Sequence, residues 1–281
     1  MKVSIGIPSF NSSDYVNELL KNLQNNKSIS EIVINDDCSD EENSSKMNKI
    51  LLNFKKSSNI PISLFSNNEN KGAYINKYKT VEQCTGEIVY LIDSDNLPMN
   101  QLDILLEEDI VMKFDKNTIY YPSKIYQFKR YPYLSKIISP FMSRYKVKFF
   151  NHDKTIDYQE VVINIKKYTK GSNTFTIDKD ITWFLNCGNF IIGREAFLET
   201  FDEGMNLSRE KLAVDALAFS YYWLNSGKKI KSLKNFYHYH RKRTDSVSFI
   251  EKDNNDKSVD YFLSYRILKK NFMKYLVQKL N

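Results

Sequence analysis

In the first hundred positions, the spacing of apolar residues changes back and forth between a pattern typical of strands and one typical of helices. Four short runs rich in β-branched residues predict strands, over residues 3–7, 31–35, 61–65 and 87–92. Between these runs, apolar residues recur every three or four positions and predict helices, over residues 14–22, 47–54 and 73–83. Strands that alternate with helices in this way indicate right-handed βαβ units. We therefore expect a mostly parallel sheet covered on both faces.

The pattern changes in the rest of the chain. A further helix is predicted over 101–113, after which an aromatic and basic segment without regular alternation follows. Strand-like alternation returns at 161–165 and 190–192, and helices are predicted over 214–224 and 259–280. Because no internal repeat and no low-complexity linker separates the parts, we expect one compact unit.

Composition places the chain among globular proteins but divides its charge unevenly. Of its 281 residues, 42% are hydrophobic and 27% are charged, which excludes disordered and fibrous classes. The net charge is +7, yet residues 1–118 carry 12 basic and 18 acidic side chains, whereas residues 119–281 carry 29 and 16. The basic part is expected to face phosphates or an anionic membrane surface.

Cysteine use and hydropathy bear on the expected compartment. Cys38, Cys84 and Cys187 form no C-x-x-C pair, so neither a disulfide framework nor a zinc ribbon is indicated. No signal-peptide core is visible at the N-terminus, and no stretch approaches 18 apolar residues. We expect a cytoplasmic protein that does not span the membrane.

Polar clusters follow three of the predicted strands: residues 8–11, 36–37 and 93–95. The carboxylates of Asp93 and Asp95 repel each other unless they share a cation, and hard oxygen ligands suit Mg²⁺ or Mn²⁺. A helix cap beside a solvated aspartate explains such a pair on its own equally well. Since parallel strands end at one edge of a sheet, three clusters together favour a crevice for a nucleoside diphosphate.

The strings VSIGIPSFN, EIVINDDCSD, NKGAYINK and GEIVYLIDSDN, in this order and spacing, resemble the nucleotide-binding half of family 2 glycosyltransferases. The resemblance continues through CGNFIIGREAF, FDE, VDALAFSYYW and HYHRKRTDSVS, and covers roughly residues 1–250. It implies the α/β GT-A fold, a Rossmann-like and mostly parallel central sheet with helices on both faces, an acceptor-side subregion and a C-terminal helical tail. Residues 1–118 would then bind the nucleotide sugar, 119–250 would bind the acceptor and carry catalysis, and 251–281 would form a basic amphipathic helix.

The resemblance assigns donor contacts to residues near the strand ends: Pro8, Ser9, Phe10, Asn11, Asp37, Lys71, Lys77, Asp93 and Ser94. Phe10 would stack on the base, and Asp37 would accept a hydrogen bond from the imide N–H of uracil. Lys71 or Lys77 would meet the donor phosphates, although much of the family has an Arg-Asn pair where Lys77 and Tyr78 stand. A turn or cap role for Asp37, and a solvated position for the two lysines, are the alternatives.

Metal binding and the catalytic base follow from the same resemblance. Asp95 would bind Mn²⁺ or Mg²⁺ directly, Asp93 would contact the ribose or the metal, and His240 would be a further metal ligand. Asp215 would take the proton from the acceptor hydroxyl. A helix N-terminal acid favoured by the helix dipole is its alternative. Arg241 and Arg243 would bind the leaving diphosphate, and the alternative is that they belong to a solvated basic loop. If Asp215 is not the base, the substitute bases are Asp202, Glu203 and Glu210.

The implied activity is metal-dependent, inverting transfer of a hexosyl or N-acetylhexosaminyl group from a UDP-sugar. The acceptor would be a hydroxyl of a glycan or lipid-linked molecule in bacterial surface-polysaccharide synthesis. Two alternatives remain, a sugar-phosphate nucleotidyltransferase-like enzyme and a basic nucleic-acid-binding protein. Neither a glycine-rich phosphate loop nor a nucleic-acid-binding module is visible, so we expect no nucleic-acid partner.

Two basic segments allow two interpretations. Residues 119–150 hold seven Lys and Arg, no acid and ten Tyr and Phe, and residues 257–281 add six cations against one acid. Aromatic side chains interleaved with cations are typical of segments that dock on the inner face of an anionic membrane. Alternatively, the aromatic residues form a lid and an acceptor-site core, and the lysines are solvated.

Overall fold

A computed structural model describes residues 2–98, 102–111, 113–129, 146–149, 155–157, 188–202 and 215–242. The strands in these ranges are β1 (Val3–Ser9), β2 (Ile29–Asp36), β3 (Ile62–Ser66), β4 (Ile88–Leu91), β5 (Leu97–Pro98), β6 (Thr118–Lys129), β7 (Lys146–Phe149), β8 (Thr155–Ile156), β9 (Phe190–Gly193) and β10 (Lys229–Lys242). The helices are α1 (Ser13–Leu23), α2 (Glu41–Ser57), α3 (Ala73–Gln83), α4 (Leu102–Ile104), α5 (Arg194–Asp202) and α6 (Asp215–Asn225). A π-helix, Leu105–Val111, continues α4.

The strands form one mixed sheet in which the parallel direction dominates. Its order is β3-β2-β1-β4-β9-β6-β10-β5, with β7 paired to β6 and β8 paired to β10. Strands β1 to β4 are parallel to one another, β9 is antiparallel to both β4 and β6, and β10 is parallel to β6. The predicted α/β class with a mostly parallel central sheet is confirmed.

Helices cover both faces of the sheet because its central strands are apolar on both sides. In β4, Ile88 and Tyr90 belong to the core beneath α1, α2 and the π-helix, whereas Val89 and Leu91 belong to the core beneath α3, α5 and α6. All four side chains are fully buried. Continuous apolar runs such as EIVYLI therefore indicate strands that are covered by helices on both faces of the sheet.

Some elements differ from the predicted ones. Strand β1 continues through Pro8, which lacks a backbone N–H, because its ladder with β4 already ends at Gly6 and only β2 pairs beyond that point. The segment after residue 113, in which the sequence shows no regular alternation, nevertheless contains strand β6, which pairs with β10 along most of its length. The predicted strand at 161–165 and the helices at 251–281 lie outside the described residues.

The parallel strands β1, β2, β4 and β10 end at the same edge, here called the carboxyl edge of the sheet, and antiparallel β9 begins there. The three polar clusters predicted from the sequence follow β1, β2 and β4, so the sheet places them at this edge. The C-terminal end of β10 carries His240 and Arg241 to the same edge.

Candidate functional site

The D-S-D segment forms a tight turn directly after β4. The backbone N–H of Asn96 donates to the carbonyl of Asp93 at 2.9 Å, which closes the turn. The backbone N–H of Asp93 donates to Oδ1 of Asn189 at 2.7 Å, just before β9 begins. The turn is therefore anchored to a neighbouring strand as well as to its own.

A partly buried ion pair holds the side chain of Asp93. The Nζ atom of Lys77, on α3, lies 3.1 Å from Oδ1 of Asp93, and the two side chains are 10% and 31% exposed. Gly188 packs against this pair. A Cβ atom at Gly188 would lie 2.7 Å from Oδ2 of Asp93 and 3.0 Å from Nζ of Lys77. Lys77 thus points to a carboxylate of the site.

A chain of buried hydroxyl groups joins the D-S-D turn to the end of β1. The Oγ atoms of Ser94 and Ser12 are 2.8 Å apart, and those of Ser12 and Ser9 are 3.0 Å apart. Beneath the turn, Asn96 is fully buried, and both polar atoms of its amide have no hydrogen-bond partner among the described residues. The buried neighbours of the turn are therefore polar side chains rather than apolar residues of the core.

The loop after β1 presents an aromatic ring to solvent. Phe10 is 41% exposed, although most large apolar side chains nearby are buried. Asn11 adopts a left-handed conformation with φ of 45°. Its N–H donates to Oγ of Ser39 at 2.8 Å, and its Oδ1 accepts from the N–H of Asp40 at 3.0 Å. These bonds to the β2–α2 loop offset the cost of the unusual backbone.

Asp37 is buried and accepts three hydrogen bonds from the loop that precedes α3. Its Oδ1 accepts from Nδ2 of Asn67 at 2.7 Å and from the N–H of Lys71 at 2.8 Å, and its Oδ2 accepts from the N–H of Gly72 at 2.8 Å. A carboxylate has about four acceptor positions, so Oδ2 can accept one more donor. The ammonium group of Lys71 forms an exposed ion pair with Glu69.

The two histidines of β10 lie on one face, as their alternation predicts. Their ring centroids are 6.4 Å apart. Burial lowers the pKa of His238 to about 3, with a smaller contribution from His240, so His238 is neutral at physiological pH.

Arg241 contacts helix α1. It donates to Oε2 of Glu18 at 2.5 Å, and its guanidinium lies over the ring of Tyr15 at 4.4 Å from the centroid. This contact joins the end of β10 to the helix that follows the Phe10 loop. Arg243 lies outside the described residues.

Asp215 is the first residue of α6. The last turn of this helix lies at the opposite edge of the sheet, because Nε1 of Trp223 donates to the carbonyl of Lys229 where β10 begins. The helix then runs beside β6, with Ser220 Oγ 2.8 Å from the hydroxyl of Tyr121. Ten residues of helix span about 15 Å, so the backbone of Asp215 lies toward the carboxyl edge. Asp202 ends α5, while Glu203 and Glu210 lie outside the described residues.

The donor set suits a hard cation that is shared with a nucleotide. Within the described ranges, no three His, Cys, Asp or Glu side chains form a group that could hold a metal ion. Mg²⁺, however, usually takes one or two protein carboxylates and completes its shell with substrate phosphates and water. Asp95, with Asp93 two residues before it, supplies such carboxylates.

Several residues of the site had no role in the sequence prediction. Gly188 and Asn189 lie within the CGNFIIG string, which carried the family resemblance but no assigned chemistry. Asn76 was also missed. Its Nδ2 donates to the carbonyl of Ser9 at 3.1 Å and its Oδ1 accepts from Asn35 at 2.7 Å. Polar residues at the buried face of α3 were the available signal.

Comparison with known proteins identifies relatives by family and by fold. A model of the family described as glycosyl transferase family 2 matches residues 4–200. Staphylococcus aureus TarS 1–349 in complex with UDP is 16% identical, with a TM-score of 0.56 over 87% of this chain and 61% of that chain. The same TarS fragment in complex with UDP-GlcNAc is 17% identical, with a TM-score of 0.56 over 86% and 59%.

GalNAc-T7 with UDP, GalNAc and Mn²⁺ is 12% identical, with a TM-score of 0.55 over 89% of this chain and 47% of that chain. The present chain thus spans about 60% of the TarS fragment. No curated protein matches the chain in sequence. At these identities the solved structures show a shared fold. In the part of the chain that the structure describes, no helix is long and apolar enough to cross a membrane.

Proposed function

Because the chain belongs to glycosyl transferase family 2, we propose that it transfers a sugar from a nucleoside-diphosphate sugar to an acceptor hydroxyl. The observation that carries this proposal is the carboxyl edge, where Asp37, Asp93, Asp95 and the exposed Phe10 follow three adjacent parallel strands. The family match favours this reaction over nucleotidyl transfer and nucleic-acid binding, the two alternatives left by the sequence.

The donor is a UDP-sugar in this proposal. TarS and GalNAc-T7 have been solved with UDP, which supports uracil as the base. Phe10 stacks on the base, and the open acceptor position of Asp37 takes the imide N–H. The rest of the β1 loop, with Pro8, Ser9 and Asn11, shapes the pocket, and the loop bonds of Asn11 preorganise it.

The diphosphate and a divalent cation are held next to the D-S-D turn. Asp93 contacts the ribose, next to Ser94, and Asp95 would hold Mn²⁺ or Mg²⁺. His240 of β10 would be a further ligand, although Asp93, Asp95 and His240 do not form a three-residue metal-binding group in the described structure. When bound, this cation would offset the negative charge that grows on the departing nucleoside diphosphate. Lys71 and Arg243 supply cations for the same phosphates, together with Arg241 if it leaves its contact with Glu18.

Asp215 is the general base of the proposed reaction. Its carboxylate takes the proton from the acceptor hydroxyl, and the acceptor oxygen forms a bond to the anomeric carbon. The bond between that carbon and the diphosphate oxygen breaks, and its electron pair leaves with UDP. One such displacement inverts the anomeric carbon. The family resemblance supports this outcome, and the position of α6 supports Asp215.

The proposed acceptor is a glycan or lipid-linked molecule of a cell-surface polysaccharide, met at the inner face of the membrane. Register supports a basic surface near the acceptor side, because β6 and β7 pair Lys124 with Phe149, Ile125 with Lys148 and Gln127 with Lys146. This pairing brings Lys124, Lys146 and Lys148 together on one two-stranded ribbon. Such a ribbon suits contact with an anionic surface.

Release of UDP tests the proposed function. We expect the full chain with Mn²⁺ to release UDP from at least one member of a UDP-sugar panel, and excess EDTA to abolish the release. Asp95→Asn should lower the rate by about a hundredfold or more, since charge stabilisation at the leaving group is a large term in such reactions. Asp14→Asn, at an exposed position of α1, is the matched control. Absence of UDP release from every sugar, with no thermal stabilisation by UDP, would contradict the proposal.

A further inference from the structure

The ion pair between Lys77 and Asp93 is enclosed on several sides. Lys77 reaches the pair from α3, and its residue as a whole is buried. Asn189 holds the backbone of Asp93, and Gly188 packs against both charged groups. An ammonium group loses hydration when it is buried, so a lysine in such a place needs compensation by a carboxylate. The surroundings therefore favour one fixed arrangement of the two side chains.

Glycine at position 188 belongs to the same arrangement. A methyl group there would lie 2.7 Å from Oδ2 of Asp93 and 3.0 Å from Nζ of Lys77, so at least one of the two charged groups would have to shift from its position in the 3.1 Å contact. On β9 itself, which begins two residues after Gly188, an added methyl group fits. A Cβ at Gly193 would meet its nearest neighbours, the atoms of Lys116, at 3.4 Å. The space beside Gly188 and Asp93 is thus tighter than the space beside Gly193, at the C-terminal end of β9.

We propose that Lys77 is a positioning residue, which holds the carboxylate of Asp93 in the orientation that receives the donor, and that Gly188 is required because it leaves room for this pair. Lys77 then acts on the donor through Asp93 and does not itself bind the phosphates, in contrast to its assignment from the family resemblance. This inference rests on the proposed function, since the donor that Asp93 receives is the nucleotide.

A double-mutant cycle on UDP affinity separates the two roles of Lys77. We expect Lys77→Met and Asp93→Asn each to weaken UDP binding by about tenfold, and the double variant to bind no more weakly than Asp93→Asn alone. Additive losses in the cycle would mean that Lys77 contacts the donor directly and would overturn the inference.

A second, independent test uses variants that leave the charges of Lys77 and Asp93 unchanged. Gly188→Ala should weaken UDP binding by about as much as Lys77→Met, because it displaces the same carboxylate. Gly193→Ala and Lys79→Met are the matched controls. Lys79 lies on the same helix in an exposed pair with Glu82, so its loss should leave UDP affinity unchanged. Equal UDP affinity for Gly188→Ala and wild type would also overturn the inference.

Urea denaturation of each variant distinguishes a fold defect from a positioning defect. If Lys77→Met does not fold, the UDP affinity of Gly188→Ala compared with that of Gly193→Ala tests the inference instead. A wild-type chain that is folded but binds no UDP would overturn the proposed function, and this inference with it. A wild-type chain that binds UDP but shows additive losses would overturn the positioning role alone.

Discussion

Asp37 shows how a single buried carboxylate organises one side of the site. Its three donors belong to one loop, and two of them are backbone N–H groups of Lys71 and Gly72. Gly72 has a φ of 85°, a left-handed conformation that favours glycine. The carboxylate thus holds the start of α3 against the end of β2, and Oδ2, like any carboxylate oxygen, has a second lone pair beside the one that accepts from Gly72.

Replacing Asp37 with asparagine tests this arrangement. The amide of Asp37→Asn has one acceptor atom, so at least one of the three donors loses its partner or faces an N–H₂ group. We expect the free energy of unfolding, measured by urea denaturation, to fall by about 1–3 kcal/mol. The matched control is Asp14→Asn on the exposed face of α1. Unchanged stability would show that the loop does not depend on the carboxylate.

Long cationic side chains make contacts in the structure that the sequence did not predict. Lys77 and Arg241 were both assigned to phosphates, but the structure places them on Asp93 and on Glu18 with Tyr15. Alternation along a strand or helix predicts the face on which a side chain lies. It does not predict which distant carboxylate a flexible side chain of this length reaches, since that depends on the packing of neighbouring elements.

At the scale of elements, the turn between α3 and β4 is fastened to β2 by one carboxylate. Glu31 accepts from Oγ of Ser4 at 2.5 Å, from the N–H of Thr85 at 2.6 Å and from the N–H of Gly86 at 3.3 Å. Burial alone would raise the pKa of Glu31, but these hydrogen bonds outweigh it and hold the pKa below its ordinary value. The contact thereby anchors the segment that leads into β4, the strand that precedes the D-S-D turn.

The lowered pKa of Glu31 predicts a pH dependence. A carboxyl group whose pKa is lower in the folded state stabilises the fold above its unfolded pKa, and this contribution is lost as pH falls through the folded value. We expect Glu31→Gln to lower the free energy of unfolding at pH 7 by about 1–2 kcal/mol. The difference from the wild type should shrink below pH 4.5, the ordinary value for Glu.

Urea denaturation between pH 3 and 7 measures this difference, with Glu41→Gln at an exposed position of α2 as the control. A difference that stays constant with pH would contradict the assignment of the stabilisation to the charged form of Glu31.

The agreement between predicted and observed elements depends on how local their signals are. Helix α3 has the predicted bounds because all of its signals are local. Its amphipathic pattern lies within the helix, and the glycine before it and the cysteine-threonine-glycine segment after it flank it directly. Strand β6 was missed because its pairing with β10, more than a hundred residues away, stabilises it, and its sequence has no clear alternation. The helix predicted at 101–113 begins as α4 and widens into a π-helix, which periodicity does not distinguish.

For the whole molecule, the uneven charge separates most strands of the sheet, although β5 of the acidic part pairs with β10 of the basic part. The acidic part of the chain supplies β1 to β5 with the carboxylates of the proposed donor site, and the basic part supplies β6 to β10. The β6–β7 ribbon continues the sheet with cations of the 119–150 segment. Attraction to an anionic membrane would therefore act on the acceptor side and leave the donor side open to nucleotide.

Flotation with liposomes tests this orientation. We expect the full chain to float with vesicles containing phosphatidylserine at low salt, and to remain unbound with phosphatidylcholine alone. The double variant Lys146→Glu with Lys148→Glu should lower the partition coefficient by about thirtyfold or more, since each lysine near the surface contributes about 1 kcal/mol.

The control carries the same charge change on the acidic part of the chain, as Lys55→Glu with Lys56→Glu in the last turn of α2. Equal flotation of the two double variants, or binding to neutral vesicles, would contradict membrane docking through the ribbon.

The sequence by itself determined the alternation of strands and helices at the start of the chain, the parallel sheet that follows from it, and the edge at which the polar clusters lie. These properties depend on short-range periodicity and on the rule that parallel strands end together. The tertiary structure alone decided which partner each buried polar side chain takes. The contact of Lys77 with Asp93, and the space that Gly188 leaves for it, exist because α3 and β9 pack beside β4. Such contacts between elements distant in the chain leave no periodic signal in the sequence.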